Sequence, residues 1–275
     1  MKYDLHVHTN KSDGEYSRLN LINRLNNKLE YISFTDHNYI ENIDEYTNYI
    51  KDNNLNIKLI NGVEFDISDY KFLHILAYGI KDIKIVSDKL NEISKKNIEI
   101  CKRLIESLKK NYKFDISYDE IIMSGKKLSK GTIRNLLVKK GYAENNKIAG
   151  DLYTGRNSLN YEKTTSLNLE ETLGLIKSSG GISLLAHPST LKLADDKLYE
   201  FIIKMKEMGL DGLEVLNTSK TTKIEFEKYR NIAKKLNLIE SCGSDYHNDL
   251  NTPNIGVENE ISKKLIYRLE RWLYV

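Results

Sequence analysis

The sequence predicts an α/β fold in which short strands alternate with amphipathic helices, with one small helical subdomain inserted. Three observations carry this. Short apolar runs rich in Ile, Leu, Val and Tyr recur in both halves of the chain. Segments with apolar residues at helical spacing separate them. Between about residues 82 and 168 the rhythm stops in a Lys-containing stretch, and it resumes afterwards. Such repetition points to a parallel sheet, open or closed into a barrel.

In chain order, Tyr3 to His8 reads as a strand, Arg18 to Lys28 as a helix and Tyr31 to Thr35 as a second strand. A helix from about Tyr39 to Asp52 leads to the apolar strand Ile57 to Phe65 and then to Phe72 to Gly79. Ile83 to Leu108 is a long helical stretch that enters the insertion. Past it come a helix at Leu169 to Ser178, the strand Ile182 to Ala186, a helix at Lys197 to Met208 and the strand Gly212 to Leu216. A helix at Lys223 to Leu236, the strand Leu238 to Cys242 and a helix at Ile261 to Trp272 complete the pattern. The expected organisation is a barrel from residues 1–81 and 169–275, with 82–168 inserted.

Composition excludes several classes. At 275 residues with 40% hydrophobic and 9% aromatic content, the chain can bury a core and is not a disordered polymer. A formal charge of +3 is far from that of a nucleic-acid coating protein, so no stable nucleic-acid partner is expected. No signal-peptide pattern opens the sequence and no window has the apolar length of a membrane span, so a cytoplasmic location without a membrane partner is expected. The two cysteines, Cys101 and Cys242, match no metal or redox spacing, and Cys242 is expected to pack against a helix.

The six histidines carry the functional signal. His6 and His8 are two residues apart on a strand, so both side chains leave the same face and can converge on one ion. Alone, such a pair is as often two satisfied histidines. Asp245 and His247 repeat the spacing just after the last strand, however, and His37, His74 and His187 all lie in or just after strands. None falls in a predicted helix or in the insertion. Strand ends of a barrel or doubly wound sheet meet around one pocket. Glu64, at the end of the third strand, and Asp13, in the loop after His8, are the further candidate ligands.

The runs Asp-Leu-His-Val-His-Thr, Thr-Asp-His, Gly-Val-Glu, Leu-Ala-His-Pro and Gly-Ser-Asp-Tyr-His resemble, in this order, the PHP (polymerase and histidinol phosphatase) family. The resemblance implies a distorted seven-stranded (β/α) barrel with a trinuclear metal site. It also implies that His6, His8, Glu64 and Asp245 hold one ion, that Glu64 bridges to a second held by His74 and His187, and that Asp13, His37 and His247 hold the third. Two departures stand out: Asn38 replaces a usual Asp, and Lys130-Gly131-Thr132 replaces Arg-Pro-His. The insertion resembles that of the family's nucleotide-phosphoesterase branch.

Imidazole mixed with carboxylate favours Mn, Fe or Zn over Ca or Mg. Three such ions bring about +6 of charge and three carboxylates return about −3, leaving roughly +3 for ligands from outside the protein. A hydroxide plus a phosphomonoester dianion fits that balance. The expected reaction is therefore attack of a metal-bridging hydroxide on a phosphomonoester of a nucleotide, such as a 3′,5′-bisphosphonucleotide, or of a short oligonucleotide, with no side-chain nucleophile. Lys130, Arg134 and Arg156 are the candidate phosphate contacts, and Asp4 and Asp36 could orient histidine rings or serve as strand-end caps. Histidinol-phosphate phosphatase and a non-catalytic metal-binding partner module are the alternatives.

Overall fold

The computed structural model describes residues 2–124, 127–250, 255–258 and 263–273. The strands are β1 (Lys2–Val7), β2 (Tyr31–Phe34), β3 (Lys58–Asp66), β4 (His74–Tyr78), β5 (Ile182–Leu185), β6 (Gly212–Asn217), β7 (Ile239–Gly243) and β8 (Val257–Glu258). They form one sheet in the order β7, β6, β5, β4, β3, β2, β1, β8. Past β7, Asp245 N donates to His6 O and His8 N donates to Tyr246 O, each at 2.8 Å. These bonds bring the two sides of the sheet together, so it is nearly closed into a barrel.

Two expectations are corrected. Among the described residues the sheet has eight strands rather than seven, because the short β8 pairs antiparallel with the start of β1. Nor is it wholly parallel: β4 runs antiparallel to both β3 and β5. The connection from β3 to β4 is too short for a crossover helix, so β4 can only turn back beside β3. The reversal has a functional consequence. The start of β4, where His74 lies, comes to the same end of the barrel as the finish of β3, and Asp66 pairs directly with His74.

The chain divides into two compact units, 1–88 with 167–275, and 89–166. The helices are α1 (Arg18–Leu25), α2 (Asp44–Asp52), α3 (Ile83–Tyr112), α4 (Tyr118–Met123), α5 (Lys130–Lys139), α6 (Asn146–Ala149), α7 (Leu169–Ser178), α8 (Asp195–Glu207), α9 (Lys223–Lys235) and α10 (Lys263–Leu273). Several of their starts follow capping chemistry: the Ser17 hydroxyl accepts from Asn20 N, and Asn168 with Glu171 and Thr222 with Glu225 form capping boxes. Helix α1 stops short of Lys28 because Asn27 turns the chain at φ 61°, a conformation that Asn tolerates. The predicted helix start at Ile261 lies outside the described residues.

In the larger unit, Leu5, Leu76, Tyr78, Leu184 and Cys242 share one buried cluster with Leu265, Ile266 and Leu269 of α10. A second cluster packs Val7, Ile32 and Phe34 with Leu21, Ile22 and Leu25 of α1. The β1 register shifts between Asp4 and Val7. Leu5 therefore joins the first cluster while Val7 joins the second, which leaves His6 and His8 on the side opposite Val7. The smaller unit has its own core, with Cys101, Leu104, Ile105 and Leu108 of α3 at helical spacing against Ile121, Ile133 and Leu137. No helix among the described residues is long and apolar enough to cross a membrane.

Candidate metal centre

Every candidate ligand lies in the larger unit, at or near strand ends except Asp13, which is in the loop after β1. His6 and His8 close β1, His37 follows β2, Glu64 is on β3, His74 opens the reversed β4, His187 follows β5, and Asp245 and His247 follow β7. The close approach of β7 to β1 depends on Gly243, where an added Cβ would overlap His6. Gly243→Ala is expected to cost about 1–3 kcal/mol of stability through overpacking, and to weaken metal binding because the displaced side chain is His6. Urea unfolding and metal titration of the variant check both effects.

The donors fall into groups whose atoms lie within 4.8 Å of one another: His6, His8, Glu64, Asp245; Glu64, His74, His187; His8, Asp13, His37, His247; and His37, Asp66, His74. The first group is the sharpest. His8 Nε2 is 3.2 Å from His6 Nε2, 3.1 Å from Glu64 Oε2 and 3.1 Å from Asp245 Oδ1. His6 Nε2 is 3.3 Å from Glu64 Oε2 and 3.4 Å from Asp245 Oδ1. An ion with ligands at about 2.1 Å sets neighbouring donors about 3.0 Å apart in an octahedral shell and about 3.4 Å apart in a tetrahedral one. The observed spacings fall in that interval. Glu64 Oε2 is buried and makes no hydrogen bond, as expected of an atom aimed at a shared point rather than at a neighbour. The donor set therefore fits a transition-metal ion.

Glu64 connects the groups. Its Oε1 lies 3.0 Å from His74 Nδ1 and 2.9 Å from His187 Nε2. Asp13 is 3.4 Å from His247 Nε2 and 3.6 Å from His8 Nδ1, but 4.0 Å from His37 Nε2, so the third group is the loosest.

With only protein charges present, His6, His8 and His37 are held above their ordinary values. Burial opposes protonation of His6, but Glu214, Asp245 and Glu64 outweigh it and hold the ring well above its ordinary value. Burial likewise opposes charge on His37, and Glu64 and Asp66 raise it to about 10. Burial would push Glu64 up, whereas His37, His6 and His74 hold it well below the usual carboxylate range. A metal needs the unprotonated ring, so metal uptake at pH 7 should release protons and the apparent affinity should rise with pH toward about 10. Calorimetric titration in two buffers of different ionisation enthalpy measures that release, and no buffer dependence would contradict it.

Several residues have roles that the sequence reading did not assign. Glu214, in the middle of β6, accepts from His6 Nδ1–H at 2.9 Å and from His187 N at 2.7 Å. It orients a ligand ring in the way proposed for Asp4 and Asp36. Asp4 instead accepts backbone N–H groups of His6, Ser244 and Gly256, and burial raises it to about 6. Asp36 accepts from Thr9, Ser12 and Arg18. Asp66 Oδ1 lies 2.9 Å from His37 Nδ1, although off the ring N–H direction, and 3.5 Å from His74 Nε2. Asn38 touches none of the nine expected ligands by a side-chain hydrogen bond; its amide donates to Asp66 at 2.7 Å. An acidic residue within an apolar strand could have flagged Glu214, and the i, i+2 rule that pairs His6 with His8 also pairs Glu64 with Asp66.

The three candidate phosphate contacts lie in the smaller unit. Lys130 and Arg134 are one turn apart on α5, and Arg156 is exposed in a turn. The Lys130 ammonium donates to Glu162 O and sits 4.5 Å from the centre of the Tyr161 ring.

Residues 4–210 match the PHP domain. A 5′-3′ exoribonuclease from Haemophilus influenzae is 28% identical over 251 residues, 90% of each chain. A 3′,5′-nucleoside bisphosphate phosphatase from Chromobacterium violaceum is 23% identical over 250 residues, 89% of this chain and 86% of that one. Among solved structures, a candidate metal-dependent phosphoesterase from Bifidobacterium adolescentis superposes with a TM-score of 0.76 at 25% identity, covering 98% of this chain and 96% of that one.

Proposed function

Because the chain belongs to the PHP-domain family of metal-dependent phosphoester hydrolases, we propose that it hydrolyses a phosphomonoester of a nucleotide, such as a 3′,5′-bisphosphonucleotide, or of a short 5′-phosphorylated oligonucleotide. One observation carries the chemistry: the donor atoms of His6, His8, Glu64 and Asp245 stand at the spacing of a metal shell. The substrate class is supported by the exoribonuclease and the bisphosphate phosphatase, each aligned over most of its length.

The proposed ligand sets are His6, His8, Glu64 and Asp245; Glu64, His74 and His187; and Asp13, His37 and His247, for three ions of Mn, Fe or Zn. Ions bound there would lower the pKa of a bound water from 15.7 to about 7 and neutralise charge on the phosphoryl oxygens. The protein's own share is positional. Glu214 fixes His6 through Nδ1–H, which leaves Nε2 free for a ligand bond. Thr190 Oγ1 lies 3.0 Å from His187 Nδ1 and does the same for that ring, whose Nε2 faces Glu64. Burial of His6, His8 and Glu64 keeps bulk water from competing for these donors. Lys130, Arg134 and Arg156 are proposed as phosphate contacts of the insertion.

The test is release of phosphate or of nucleoside 5′-monophosphates by the Mn-loaded protein from a 3′,5′-bisphosphonucleotide, short 5′-phosphorylated RNA and histidinol phosphate. His8→Ala serves as the control. Turnover of either nucleotide substrate that disappears in the variant is the expected result. Turnover of histidinol phosphate alone would replace the reading, and silence with metal bound would make the chain a non-catalytic partner module.

A further inference from the structure

Resting on the phosphoester reading, we infer that Lys220 is a phosphate-binding residue of the larger unit, presented beside the metal donors to take a non-bridging oxygen of the phosphoryl group under attack. The two oxygens of Asp245 divide their partners. Oδ1 faces His6 and His8, while Oδ2 receives the Lys220 ammonium. The lysine therefore does not stand in for an ion in the first donor group; it shares one carboxylate with that group. A phosphoryl oxygen brought to an ion held by the first donor group would meet the ammonium next to it.

The loop that carries Lys220 is held firmly. Thr218 N donates to Gly243 O at 3.0 Å and Lys220 N to Asn217 O at 3.1 Å. Asn217 Oδ1 accepts from Ser219 N, and its amide donates to Glu214, the residue that orients His6. Ser189, two residues past His187, donates to Lys220 O at 3.2 Å. The Ser219 hydroxyl donates to Ser244 O, next to Asp245. These bonds tie the loop to the end of β6 and to the segments after β5 and at the end of β7, each of which carries or adjoins a candidate metal donor or the residue that orients one. A cation fixed in advance binds an anion without the entropy of ordering a free side chain. Its side chain is also 36% exposed, so an incoming ligand can reach it, whereas Arg18 is buried and bound to Asp36.

The inference separates Lys220 from a simple partner of Asp245. Lys220→Met, Lys220→Arg and the wild type are loaded with Mn or Zn, and metal content, affinity for inorganic phosphate and turnover of the bisphosphonucleotide are measured. The expected result is unchanged metal content, phosphate binding at least about 10-fold weaker and kcat/KM lower by about 10²-fold in Lys220→Met, with partial recovery in Lys220→Arg. Phosphate affinity should also depend less on ionic strength in the Met variant, since one charge pair is gone. Unchanged phosphate affinity, or loss of metal without a separate effect on phosphate, overturns the inference and makes Lys220 a structural partner of Asp245. A loaded wild type that binds no phosphate and hydrolyses nothing overturns the phosphoester reading itself, which is a distinct outcome.

Discussion

Glu64→Gln is expected to remove the metal centre while leaving the barrel folded. The amide keeps the size of the carboxyl but loses the charge, and any NH₂ turned toward the rings presents protons where His6, His8, His74 and His187 need an acceptor or a shared ion. Glu64 is fully buried and faces five of the six histidines, with His37 Nδ1 3.4 Å from Oε2, so the loss reaches both donor groups that it joins. Metal ions contribute several kcal/mol to phosphoryl transfer, and each 1.36 kcal/mol is a factor of about ten in rate. A fall in kcat/KM of at least about 10³-fold follows, with metal content reduced in step. In the metal-free protein the change also acts through linkage. The Glu64 carboxyl is held below its unfolded value, so its stabilising effect is present above the unfolded pKa and disappears as pH falls through the folded one. The metal-free variant should thus be less stable than wild type at pH 7, and the two should converge in acid. Full metal content with activity within tenfold of wild type would remove Glu64 from the centre.

Which features could be read from the sequence depends on how local their cause is. The pairs His6 with His8 and Asp245 with His247 follow from strand periodicity alone, because residues two apart share a face whatever the rest of the chain does. Their convergence needed the additional premise that strand ends meet, and the alternation of strands and helices supplied it. The antiparallel course of β4 was hidden, since apolar runs do not state direction; only the short connection after Asp66 could have revealed it. That direction explains why His74, which opens its strand, lies among residues that close theirs. Glu214 and Asp66 were visible in principle as carboxylates on predicted strands. Lys220 was not. A lysine in a polar loop has no pattern to mark it, and its place beside Asp245 results from loop bonds to two segments distant in sequence.

Arg18→Met should give the largest loss of stability. Arg18 is 3% exposed and Asp36 is fully buried, and Arg18 Nη2 donates to Asp36 Oδ2 at 2.8 Å while Nη1 is 3.2 Å from Glu41. Breaking a buried pair by removing one partner costs about 3–5 kcal/mol, because the remaining charge has lost its counterion. Asp36 would keep the Thr9 and Ser12 donors, which places the expected cost toward the lower end, at about 3 kcal/mol. The pH dependence identifies the cause. Burial by itself raises the Asp36 carboxyl, and Arg18 first among its partners brings it below its ordinary value. In wild type that contribution is present above about pH 3.9, the unfolded value, and is lost as pH falls through the lower folded one. Without Arg18 burial prevails and the folded pKa rises. The penalty should therefore be greatest near neutral pH and shrink toward pH 4, where Asp36 takes up a proton. Urea unfolding at pH 7.5 and pH 4.5 tests this, and a penalty independent of pH would point to lost packing of the arginine stem over Phe34. The pair also supports the site. Asp36 holds Thr9 and Ser12, which lie within the segment from His8 to Asp13, so the variant should bind metal more weakly at the proposed Asp13, His37 and His247 donors even where it remains folded. Arg18→Met combined with Asp36→Asn should recover part of the stability, because neither charge is then left buried alone.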